Sequence, residues 1–400
     1  MLLPLALLAA SASLAVPPAT QPAPTGAVAA ADADRRAEAL ELAFAVATTI
    51  PVQYHGRERA KQQELVGVGF VDLGYAEQAR TLVSRIEGWR SAALLARVAM
   101  RDAKAGRADE ARASAAKIVE ASRHPSVTDW QRESLSVWAA RIHAAIGDDA
   151  VASELEKGVG ENEMGKVAAT RAARSPLESF DAQMPLIEGY IKTLNFDLVR
   201  NGVDVALEYY PHCYADAARR ARVEALVESA SKHLPHDLRV LAWLRLADVA
   251  HDRGDAVAAR SLIARADAAL AAAAWAPEDE TAIRARVARS KGRTGDLEAA
   301  RADIAAAIAA YDAGRDRIID IFRAGVLRAV AETQASIGDA VAARATYMRA
   351  LDEGAVNPNA RPRACDLVAS LVSMASSGTL PDEAASARIA AIREGLKDPW

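Results

Sequence analysis

Apolar positions recur at three- and four-residue intervals along most of the chain, and glycine interrupts them at similar distances. The stretch 330–351, VAETQASIGDAVAARATYMRAL, shows the unit most fully. Val330 and Ala331 stand eight and seven before Gly338, and Ala343 and Arg344 stand five and six after it. Ala350 and Leu351 follow at twelve and thirteen. The same offsets from Gly295 give Val287, Ala288, Ala300, Arg301, Ala307 and Ile308. From Gly254 they give Leu246, Ala247, Ala259, Arg260 and Ala266, then Asp267 where an apolar residue stood. Gly106 gives Val98, Ala99, Ala111, Arg112, Ile118 and Val119; Gly74 gives Val66, Gly67, Ala79, Arg80 and Ile86. Gly147 keeps Ala139, Ala140 and Ala152, and Gly202 keeps Leu194 and little else. Successive glycines lie 32, 41, 55, 52, 41 and 43 residues apart. A pattern that returns at this period marks a helical repeat array.

Each unit predicts two helices with the glycine between them, since a left-handed C-cap costs little only for glycine. Asp148, Asp255, Asp296 and Asp339 follow their glycines directly. An aspartate there caps the next helix and meets the positive end of its dipole. Small residues seven before and five after the glycine let the two helices approach closely, and the arginine beside the second should face water. These offsets resemble the tetratricopeptide repeat, with Val330, Ala331, Gly338-Asp339, Ala343, Tyr347 and Ala350-Leu351 in its pattern. The period of about 41–43 exceeds that family's 34, and its first-helix aromatics and closing proline are mostly absent. The predicted fold is an all-α solenoid of antiparallel helix pairs, tetratricopeptide-like. The resemblance implies that first helices line a concave face where extended peptides bind.

Residues 1–15 read as a secretory signal peptide: the apolar run LLPLALLAASASLA with small residues before a cut after Ala12 or Ala15. Residues 16–31 read as a Pro- and Ala-rich linker, and a first helix is expected from Asp32 to Ile50, stopped by Pro51. Repeats occupy 32–157. The pattern fails over 158–235, where 157–175 carries Gly158, Gly160 and Gly165 and predicts an irregular insertion. Helices are expected over 184–200, 203–210 and 215–234. Repeats resume over 236–356, and 357–400 should form capping helices over the last apolar face. Export places the mature chain in a periplasm or outside the cell.

The net charge of −4 offers no bulk field for nucleic acid. Aromatics make up 5% of the chain, too few to suggest the aromatic-rich clefts of polysaccharide-acting helical arrays. Cys213 and Cys365 lie about three repeats apart and should stay unpaired. His212, His233, His236 and His251 do not share a helix face, so no metal site is expected. His143 lacks a nucleophile, and Gly67 and Gly69 in VGVGF lack a phosphate loop's lysine. No catalytic residue and no cofactor emerges. Trp89, Trp130, Trp138 and Trp243 should fill gaps between helices. Arg97, Arg245 and Arg286 share the position nine before their glycines. On a concave face they would favour a protein or peptide partner carrying acidic groups. The expected function is an exported, non-enzymatic interaction scaffold. The alternative is a helical-array enzyme or carbohydrate-binding protein with a site in the concave groove.

Overall fold

The computed structural model describes residues 26–174 and 177–400. The expected signal peptide and residues 16–25 lie outside the described residues. The first half holds α1 (Gly26–Thr49), α2 (Val52–Asp72), α3 (Ala76–Val83), α4 (Trp89–Lys104), α5 (Ala108–Ser122), α6 (Asp129–Ile146), α7 (Asp149–Leu155), α8 (Glu161–Arg174), α9 (Glu178–Lys192) and α10 (Phe196–Cys213). The second holds α11 (Ala217–Ser231), α12 (His236–Asp252), α13 (Ala256–Ala271), α14 (Pro277–Arg293), α15 (Leu297–Gly314), α16 (Asp320–Ser336), α17 (Ala340–Ala355), α18 (Ala360–Ser377) and α19 (Glu383–Glu394). A short 3-10 turn (Arg315–Arg317) precedes α16. No strand occurs among the described residues, and no helix there is long and apolar enough to cross a membrane.

The repeated offsets are the packing positions. Val330, Ala331, Ala343, Tyr347 and Ala350 are fully buried, as are Val287, Ala288, Ala300 and Ala307 in the preceding unit. Alanine at these crossings brings neighbouring backbones close, and the larger residue beside it fills the space between. The glycines at 74, 106, 147, 254, 295 and 338 take φ between 78° and 96° and end α2, α4, α6, α12, α14 and α16. Asp255, Asp296 and Asp339 accept from the backbone amides of Ala258, Ala299 and Ala342, as the pattern predicts. Asp148 does not cap: its carboxylate is held by Arg112 at 3.0 Å and by His143 Nδ1 at 3.2 Å.

The even-numbered helices form an inner layer, in which each packs on the next from α2 to α18. The odd-numbered helices lie outside them. The array does not stay open: α18 packs on α2, and α1 lies along both. One apolar cluster therefore joins the two ends, with Leu40 and Phe44 of α1, Phe70 of α2, Tyr347 of α17, Leu371 and Met374 of α18, and Ile389 of α19. A Cβ on Gly69 would come within 3.1 Å of Leu40 and 3.2 Å of Val372, so this glycine sets how closely α2 approaches α1 and α18. Arg35 donates to the Pro381 carbonyl, and Tyr75 to that of Ala33. The expected C-terminal helix pair forms as α18 and α19 on the last unit, and α1 in turn packs along α18. The Pro399 carbonyl accepts from the Ala360 amide at the start of α18, and Trp400 packs against the closing cluster.

Three expectations for the middle are corrected. Residues 157–175 are not an irregular insertion: after a turn at Gly158 they form α8. Gly165 lies inside that helix, where a Cβ would sit 2.3 Å from Asn201, so it serves close packing of α8 on α10. Gly202 ends no helix but lies within α10, which runs on through Pro211 to Cys213. The break expected after 200 falls earlier, at Leu194 (φ 59°), and Asn195 caps α10 by accepting from Asp197 and Leu198. The turn after α10 carries Asp216 as its cap and uses no glycine, which hid that unit from the spacing count.

Ring closure and turn geometry can each be tested by stability. Leu40→Ala should cost about 3 kcal/mol in urea unfolding, as for a central core leucine; a loss below about 1 kcal/mol would mean that α1 is frayed and the ring open. Nothing stands within 4 Å of a Cβ built on Gly338. Gly338→Ala should therefore lose only the backbone cost of a positive φ, about 1 kcal/mol.

Candidate functional site on the inner face of the ring

A ring of nine inner helices about 9 Å apart leaves about 20 Å between facing backbones, and on the order of 15 Å once side chains are counted. They are parallel to one another, because each outer helix returns the chain before the next begins. All start at one rim and end at the other, where the glycine turns lie. Among the described residues, the five exposed aromatic side chains (Tyr54, Trp130, Tyr190, Phe196 and Phe322) all stand at the first rim. Val52, Leu194, Ile319, Ile321 and Val356 are exposed beside them.

Polar contacts pass from helix to helix around the inner face. Arg90 on α4 pairs with Glu64 on α2, and Arg101 donates to the Val71 carbonyl at 2.7 Å. Arg141 Nε on α6 donates to Thr170 on α8 at 3.1 Å. Arg245 on α12 reaches Asp204 at 3.2 Å and Glu208 at 2.9 Å on α10. Arg293 on α14 holds Asp248 at 2.7 Å and Asp252 at 2.6 Å on α12. Arg328 on α16 holds Asp366 on α18 at 3.1 Å, and the Ser373 hydroxyl donates to Glu332 at 2.6 Å. Across the closure, the Cys365 thiol donates to Glu58 at 3.6 Å; burial and that carboxylate push the thiol up to about 12.

The inner face is confined. Burial raises the carboxyl pKa values of Asp72, Asp204, Asp248 and Asp366 despite nearby arginines. The Asp204 side chain remains 47% accessible, so its desolvation comes from protein around the opening rather than from a sealed core. Enclosed space is scarce: a cavity under Tyr347 and Leu380 has about 10 Å³, room for one water at most.

Arg97, Arg245 and Arg286 occupy matching positions on α4, α12 and α14, and the structure separates their roles. Arg245 is spent on Asp204 and Glu208. Among the described residues Arg97 and Arg286 have no carboxylate within ion-pair distance, and burial lowers both pKa values. Trp138 holds the same position on α6 and is flanked by arginines, with Arg97 4.5 Å and Arg141 4.4 Å from its ring centroid. Trp89 and Trp130 meet edge to face at 5.1 Å one rim-ward step away. Of the four tryptophans expected to fill gaps, Trp243 does so at 2% exposure, whereas Trp130 is 59% exposed. Arg141 was missed because it stands six before its glycine; the shared offset of Trp138 and Arg97 was the available signal. Cys213 and Cys365 are both free, and no cluster of three potential metal ligands occurs among the described residues.

Compared with known protein families and with curated proteins, the chain matches none.

The raised Asp204 pKa gives a signed prediction. The folded state binds this proton more readily than the unfolded chain, so Asp204 should add relative stability as pH falls from 7 through its folded pKa. Arg200, Arg245 and Lys166 face it and oppose the shift. Asp204→Asn should remove that gain in thermal melts between pH 7 and pH ~4.5; an unchanged pH slope would contradict it.

Proposed function

We propose that this protein is a non-enzymatic interaction scaffold, a tetratricopeptide-like ring that takes an extended acidic segment of a partner protein into its opening. The observation that carries this reading is the charge state of the inner face. Arg97, Arg141 and Arg286 stand there with no carboxylate at ion-pair distance among the described residues. Arginines on the outer helices are either paired within the fold, as Arg112 is with Asp148 and Arg349 with Asp312, or exposed to solvent, as Arg260, Arg301 and Arg344 are. A guanidinium left unpaired in a confined space favours an incoming oxyanion. The opening is too narrow for a folded domain but wide enough for an extended chain. The aromatic rim gives the partner an apolar surface beside the entrance, and complementary charge draws its acidic segment inward. The leader-like residues 1–15 put this binding in a periplasm or outside the cell.

A second reading is favoured by Trp130. An exposed indole at the mouth of a ring is also a platform for a sugar, which would make the protein a saccharide binder with its site in the opening.

The test is fluorescence anisotropy with a labelled, extended glutamate-rich peptide at low and high salt. Binding should weaken as salt rises. Arg97→Ala or Arg286→Ala should weaken it about tenfold or more, the worth of one charge-assisted hydrogen bond. Arg245→Ala should change it little, because that guanidinium is already occupied. Equal losses in all three variants would point to bulk charge instead. Binding of neutral oligosaccharides, lost on Trp130→Ala, with no peptide binding would replace the scaffold with the second reading.

A further inference from the structure

We infer that Arg97, Trp138 and Arg141 form a binding site for an oxyanion, the group shared by carboxylates and phosphates. Both guanidiniums stack on one indole, so their carbons lie within about 9 Å of each other. Burial, and after it Arg97, lowers the tendency of Arg141 to hold its charge, and its pKa is pulled down to about 10. Fixing two like charges against one ring in a confined space is unfavourable unless something answers them.

Among the described residues no carboxylate comes within ion-pair distance of either guanidinium. Three helices bring four acids toward the pair, and three of those acids are committed elsewhere. Glu64 on α2 is bound by Arg90. Glu163 on α8 is bound by Lys166 at 2.6 Å, and Glu208 on α10 by Arg245 at 2.9 Å. Asp72, at the end of α2, stays beyond ion-pair distance of Arg97, and burial raises its own pKa. Arg141 spends only its Nε, on Thr170, which leaves the two terminal nitrogens of its fork without a partner. Among the described residues Arg97 has no hydrogen bond or ion pair, and it stacks on the ring of Trp138. Trp138 thus holds both forks in place and leaves their donors free.

The spacing along the helices extends the site. Trp130 lies eight residues before Trp138 on α6, and Trp89 eight before Arg97 on α4, a rise of about 12 Å. The edge-to-face Trp89–Trp130 pair is therefore an apolar surface at the rim, one step from the two arginines. A ligand that fits carries its anionic group deep in the opening and a flat or apolar group about 12 Å rim-ward.

This site does not depend on the scaffold reading, and the test separates the two. Calorimetry with inorganic phosphate, against chloride at matched ionic strength, should give saturable binding. A capped glutamate-rich peptide supplies the carboxylate arm. Arg97→Gln and Arg141→Gln should each weaken binding about tenfold or more. Arg97→Lys, which keeps the charge but not the planar fork, should fall between them and the native protein. Tryptophan fluorescence should change on binding, and Trp138→Phe should remove most of that change. In anion-free buffer, Arg97→Gln should raise the melting temperature, because it relieves repulsion that no partner offsets; a purely structural arginine would lower it. Peptide binding far tighter than phosphate ties the site to a partner's acidic segment. Phosphate binding without peptide binding keeps the site and overturns the scaffold. Absence of binding by both, with a melting temperature that falls in Arg97→Gln, overturns the site itself.

Discussion

The packing of α1 along α18 and α2 is the contact on which the rest of the molecule depends. Helix repeats bury their faces only against neighbours, and an array of them has two unfinished ends. Here those ends finish one another. Leu40, Phe44 and Phe70 from the start of the chain share a cluster with Leu371, Met374 and Ile389 from its end. Gly69 removes the side chain that would hold the helices apart. Because the contact joins residues more than three hundred positions apart, it forms only once the intervening units have stacked with the right cumulative curvature.

Closure converts a concave surface into an enclosed one, and that changes its electrostatics. Side chains that would be solvated on an open groove are surrounded at a distance by protein on every side. Asp204 and Asp248 are ion-paired and still raised, because burial outweighs their arginines. The same confinement makes the unpaired guanidiniums of Arg97, Arg141 and Arg286 costly to keep. A belt of pairs from Arg90–Glu64 to Arg328–Asp366 ties most inner helices to their neighbours. Where the belt lacks an acid, on α4 and α6, Trp138 stands in, and the arginines there are free to take up an anion.

The middle of the chain shows how residue type misleads when its partner is out of sight. Gly158, Gly160 and Gly165 together read as a loop. Only Gly158 has a left-handed φ, while Gly165 is a helix residue made small by Asn201 across the interface. The turn after α10 was invisible because Asp216 caps the next helix without a glycine before it. Asn195 was a legible cap signal, since its side chain can satisfy the first free amides of a helix, but the apolar run across 194–200 outweighed it.

By itself the sequence determined the local units: paired helices, their glycine turns, the aspartate caps and the small residues at their crossings. Those follow from backbone conformation and nearest-neighbour packing, which a repeat of about 40 residues encodes within itself. It also placed Arg97, Arg245 and Arg286 at one position of the unit. Only the tertiary structure decided that the array closes, that Arg245 is consumed while Arg97 and Arg286 are not, and that Arg141 joins Arg97 on Trp138. Closure is a sum of small rotations over all the units, and pairing depends on which carboxylate the neighbouring helix presents. Neither quantity is written in any single repeat.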